Sequence, residues 1–109
     1  MTRLAKMHAC AYSESVRYVW DEEKAAANLK KHRVDFADAV GVFDDEFALR
    51  REDPDAEGEE RFIALGMDHV GRAVAMVCTY RREIIRLISA RKATKRERGQ
   101  YAKARGEDA

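Results

Sequence analysis

The chain has 109 residues, 46% hydrophobic and 38% charged, which suits one soluble globular domain with a modest core and excludes a disordered chain. No apolar run approaches the roughly 20 residues that cross a bilayer, and residues 1–15, with Arg3 and Lys6, lack the continuous apolar core of a signal peptide. The net charge of +1 hides a segregation: residues 38–60 hold ten acids against Arg50 and Arg51, whereas residues 81–105 hold ten bases against Glu83 and Glu97.

In chain order, residues 1–16 are small, polar and aperiodic and read as a leader or extension. Residues 17–105 read as one domain and 106–109 as a tail. An alternating aromatic stretch over 16–20 predicts a short strand. Asp21 then offers an N-cap, Glu22 and Glu23 favour the positive end of a helix dipole, and Ala25, Ala26, Ala27 and Leu29 carry a first helix to Lys30, Lys31 and His32. Asp35 repeats the cap for a second short helix through Phe36, Ala39, Val40 and Phe43. A strand is possible around Phe47, Leu49 and Arg51, and residues 52–58, with Pro54 and Gly58, form a loop.

Three strands follow, over 61–67, 72–80 and 84–89. Asp68-His69-Val70-Gly71 has turn composition, and Arg81-Arg82 makes the second connection. The middle strand is apolar without interruption from Ala73 to Cys78, which argues for a central position. Residues 92–103 are charged and helix-compatible, although Gly99 weakens that helix by about 1 kcal/mol relative to Ala. The order predicts an α+β domain. Two N-terminal helices and a C-terminal helix would pack on one side of a mostly antiparallel sheet of four to five strands.

Opposite charges in consecutive segments point to nucleic acid or a charged partner, unless the two segments simply neutralise each other. Cys10 and Cys78 lack metal-ligand spacing, and a reduced, cytoplasmic compartment is the simplest reading. No zinc or magnesium site and no Gly-rich phosphate loop is visible, so no cofactor is expected.

Several pieces carry a family resemblance. Trp20-Asp21 is followed by Lys24, Asn28, Lys31-His32, Val34 and Phe36; later come Glu60-Arg61, Gly66, the stretch from Ile85 through Ser89 to Arg91, and Glu97-Arg98 with Tyr101. Over residues 17–102 the chain resembles the BrnT toxins of type II toxin–antitoxin systems. The resemblance implies a RelE-like fold and an endoribonuclease that arrests translation. It also implies a BrnA-like ribbon-helix-helix antitoxin, a heterotetrameric complex, and repression of operator DNA through the antitoxin. No membrane partner is expected.

Metal-free RNA cleavage uses the 2′-hydroxyl as internal nucleophile. It needs a base near that hydroxyl, an acid near the leaving 5′-oxygen, and cations around the pentavalent phosphorane. Arginine suits the last role because its planar fork binds phosphate oxygens bidentately. Arg61 and Arg86 are the candidates, and Arg86 is the more telling because it interrupts Ile84-Ile85 and Leu87-Ile88. A plain surface arginine is the alternative for Arg86, where the family match favours the phosphate ligand, and a Glu60–Arg61 ion pair is an equally ordinary explanation for Arg61. Glu60, His32 and Tyr101 are the acid–base candidates. His32 could instead stabilise the helix end, and Tyr101 could be packing. His69 matches no motif and reads as surface. Arg81, Arg82, Arg91, Lys92, Lys95 and Arg98 are candidate RNA-backbone ligands, with Arg91 equally able to complement the acidic segment. If the Arg81-Arg82 hairpin has a two-residue loop, Arg61 and Arg86 fall on opposite faces of the sheet; one extra loop residue puts them on the same face.

Overall fold

A computed structural model describes residues 17–54 and 60–106. The leader expected at 1–16, Cys10, most of the loop at 52–58 and the last residues of the tail lie outside the described residues. Among the described residues no helix is long and apolar enough to cross a membrane.

Strand β1 (Arg17–Val19) leads into helix α1 (Glu22–His32). Asp21 fixes its start, accepting from the N–H of Glu23 at 2.8 Å and of Lys24 at 3.3 Å. Arg33, in the left-handed region at φ 62°, closes its end. Helix α2 (Phe36–Ala39), capped by Asp35, tightens into a 3₁₀ turn over Val40–Asp44. Then come β2 (Leu49–Glu52), β3 (Arg61–Met67), β4 (Ala73–Arg81), β5 (Ile84–Lys92) and α3 (Lys95–Ala104). The expected element order holds; β5 runs three residues beyond its expected end.

The five strands form one sheet in the order β1-β5-β4-β3-β2, with β1 parallel to β5 and the other pairs antiparallel. The uninterrupted apolar strand, β4, does lie at the centre. One face carries Phe62, Ala64, Val74, Met76, Cys78, Ile85, Leu87 and Ala90 against Val34 and Phe36, and against Val42 and Phe43 of the 3₁₀ turn. Tyr18 of β1 stacks on Phe43 at 5.4 Å and Trp20 meets Phe36 edge-on at 6.0 Å, so the shortest strand is anchored by its aromatics. Burial pushes the Cys78 thiol above its ordinary value, which leaves it an inert core group.

The expectation that all helices share one side is corrected. Helix α3 packs on the opposite face, where Ala93 and Tyr101 meet Leu65 and Ala75. The cause lies in β5. A bulge between the pairs Val77–Ser89 and Cys78–Leu87 gives β5 one extra residue, Ile88, so Ser89 and Arg91 keep to the face opposite Leu87 and Ala90. Arg91 there holds Glu97 of the α3 first turn through two bonds, 2.8 and 3.0 Å. Glu97 also completes a capping box with Thr94, so the helix starts on Arg91's face.

Candidate active site

Helix α3 covers only part of its face, over the row that contains Leu65, Ala75 and Arg91. Four positions along β3, roughly 13 Å away, the sheet is open. There the register pairs Arg61 with Thr79 and Thr79 with Arg86. Both arginines leave the open face in one row, two strand spacings or roughly 9–10 Å apart.

This corrects the expectation that a two-residue β4–β5 loop would separate them. The loop does have two residues, Arg82-Glu83, since Arg81 pairs with Ile84. The extra residue sits in the preceding turn instead. Met67 pairs with Ala73, so Arg72 belongs to the turn rather than to β4. The buried Asp68 carboxylate organises that turn: Oδ1 accepts from the N–H of Val70 at 3.1 Å and of Arg72 at 2.8 Å, and Oδ2 from Arg72 Nε at 3.1 Å. Gly71 takes the positive φ, 86°, that the five-residue turn needs. Arg72 Nη1 donates to the Arg33 carbonyl at 2.9 Å, tying the turn to the end of α1.

A second row lies beside the first: Arg81 of β4, Ile84 of β5 and Arg17 of β1. Thr79 and Arg86 from the first row, with Arg81 and Ile84 from the second, line a cleft of about 1030 Å³ together with Val19, Glu60, Tyr80 and Arg82. Arg61 lines a smaller adjoining cleft with Glu60 and Tyr80. Glu60, Arg81, Arg82 and Arg86 are exposed. Arg61 is half-buried, and its ion pair is with Asp53, at 3.6 Å, rather than with Glu60. Several guanidinium groups thus surround space wide enough for a phosphodiester, with one carboxylate on the wall.

The remaining candidates lie elsewhere. His32 is the last residue of α1, on the helix-covered face. Tyr101 is buried, and its hydroxyl donates to Asp45 Oδ2, which also accepts from the Met67 N–H at 2.8 Å. The phenol is a clasp between α3 and the segment entering β2. Arg91 is engaged by Glu97, and the pair holds the Glu97 carboxyl near 2, well below its ordinary range. Lys92 is exposed at the end of β5, and Lys95 and Arg98 are exposed on α3, where Arg98 Nη1 donates to the Ala93 carbonyl at 2.9 Å. The structure therefore brings Arg86, Glu60, Arg81 and Arg82 together in one cleft, with Arg61 in the same row of the sheet but lining the adjoining cleft. It does not bring in His32, Tyr101, Arg91, Lys92, Lys95 or Arg98.

Arg17, Thr79 and Tyr80 went unnoticed in the sequence. For Arg17 the one available signal was alternation: Tyr18 and Trp20 point into the aromatic core, so Arg17 and Val19 face outward.

A family model described as "Ribonuclease toxin, BrnT, of type II toxin-antitoxin system" matches residues 20–97. Among solved structures, the chain is similar to the Brucella abortus ribonuclease toxin, BrnT, determined at 1.1 Å resolution. The identity is 25% and the TM-score 0.55, over 73% of this chain and 99% of that one. No curated protein matches.

Proposed function

The chain belongs to the BrnT family of ribonuclease toxins of type II toxin–antitoxin systems, and on that footing we infer that it is a metal-independent endoribonuclease that arrests translation in the cytoplasm by cutting RNA on its open arginine face. The observation that carries this reading is the shared row of Arg61 and Arg86. An RNA strand laid on that row places a phosphate between the two guanidinium groups. Its neighbouring 2′-hydroxyl attacks phosphorus, the bond to the 5′-oxygen breaks, and the products end in a 2′,3′-cyclic phosphate and a 5′-hydroxyl.

Each group has a distinct task. Arg86 and Arg61 stabilise the charge that builds on the phosphorane oxygens, and their planar forks are fixed on strands rather than on loops. Glu60, which lines the clefts of both arginines, takes the 2′-hydroxyl proton, and solvent water at this exposed face gives a proton to the leaving 5′-oxygen. Arg81 and Arg82 hold the flanking backbone. Tyr101, bonded to Asp45, supports the fold, and His32 lies away from the cleft at the end of α1.

The test is cleavage of RNA by purified protein in EDTA. Wild type should cut, and Arg86→Ala should lose about 10²–10³-fold in kcat, the usual cost of removing one preorganised donor. Salt-dependent binding with no cleavage at any enzyme concentration would instead make the protein a nucleic-acid-binding module.

The partner implied is a BrnA-like ribbon-helix-helix antitoxin, acidic where it meets the basic residues of 81–105, in a heterotetramer that represses its operator. It would neutralise the toxin by covering the arginine face. A complex that leaves that face open would count against this mode of neutralisation.

A further inference from the structure

The register does more than align Arg61 with Arg86. Arg61, Arg81, Arg86 and Arg17 alternate between the two neighbouring rows as they cross β3, β4, β5 and β1. Diagonal neighbours of this kind stand about 7–8 Å apart. Arg17, Arg81 and Arg86 are exposed, and Ile84, between Arg81 and Arg17, is 39% exposed although apolar. Arg17 is held firmly in register: its N–H donates to the Glu83 carbonyl at 2.9 Å, while Tyr18 packs beneath the sheet on Phe43. It also lies outside residues 20–97, the span that matches the family.

We propose that this zigzag is a track for single-stranded RNA running across the strands, with Arg17 binding a phosphate that flanks the one between Arg61 and Arg86. The proposal rests on the ribonuclease reading and adds to it a strand direction, a substrate form and a residue. Evenly stepped cations of one sign suit a polyanionic backbone. The exposed Ile84 beside Val19 gives an unstacked base an apolar surface, a contact that the stacked bases of a duplex cannot use.

The test measures binding of a short uncleavable 2′-O-methyl RNA, single-stranded or annealed, across a salt series. For the single strand, Arg17→Ala should bind roughly tenfold more weakly, as for one lost charge-assisted contact. Its slope of log affinity against log salt should shrink by about 0.7, the value for one phosphate on a single strand. The loss should be the same for every base composition. Arg17→Lys, which keeps the charge and guards against an effect of misfolding, should keep the wild-type slope, as should Lys30→Ala on α1. Wild-type slope and affinity in Arg17→Ala would overturn the track, and so would duplex binding as tight as that of the single strand. The two readings fail separately. If wild type binds with the expected slopes but never cuts natural RNA, the ribonuclease reading falls and the track stands. If it cuts and Arg17→Ala binds normally, the reverse holds.

Discussion

Asn28 shows how much of this fold hangs on single polar side chains. It is 7% exposed on α1, and its amide donates to the carbonyls of Val34 at 3.1 Å and Ala90 at 2.8 Å, while its oxygen accepts from the Ala90 N–H at 3.1 Å. One amide therefore satisfies the backbone of β5 just past the bulge and ties it to α1 and to the connection between α1 and α2. Asn28→Ala leaves those backbone groups without a partner in the interior, and thermal unfolding should show a loss of about 2–4 kcal/mol. The residue stood in the resemblance, but nothing in its neighbourhood marked it as a buried hub, because its partners are 6 and 62 residues away. Tyr101 teaches the converse. A tyrosine on a basic helix is open to a catalytic reading, and only the contact with Asp45, across 56 residues, shows that its hydroxyl is engaged.

The elements themselves were legible where the signal was local. Caps at Asp21 and Asp35 and the apolar run in β4 stand in the sequence, and the structure has α1, α2 and the central strand there. What decides the site is not local. The parity that sets Arg61 beside Arg86 depends on Arg72 joining a turn, and the placement of Arg91 depends on the bulge at Ile88. No periodicity shows either, since each is a one-residue choice made by a buried hydrogen bond or by packing. The side taken by α3 follows from the same bulge through Arg91 and Glu97, which gives that junction an acid-sensitive pair. In the folded chain the Arg91 guanidinium, bonded to Glu97, is the largest influence holding the carboxyl near 2 instead of its ordinary 4.5. The stabilisation is therefore fully present above about pH 4.5 and is lost as pH falls toward 2. With Arg91 partly exposed, its size should be on the order of 1–2 kcal/mol. Unfolding measured between pH 5 and about 2 should show that loss in wild type and a shallower one in Glu97→Gln.

For the molecule as a whole, the segregation of charge was the clearest functional signal in the sequence, yet the structure redistributes it. The basic segment splits between the open sheet face, with Arg81 and Arg86, and α3, with Lys95, Arg98 and Lys103. Acids of the 38–60 segment in part serve the fold, Asp45 as the clasp and Asp53 beside Arg61. The arginine face also reaches past that segment to Arg17, brought in by the parallel pairing of β1, the least local contact in the sheet. The most direct measurement is the single-turnover cleavage rate in EDTA for wild type, Arg61→Ala, Arg86→Ala and the double variant. Two arginines acting on one phosphate should each cost about 10²-fold or more, and the double variant should lose less than the product, a coupling of at least about 1 kcal/mol. Losses that simply multiply, or cleavage that survives both substitutions, would contradict a shared site.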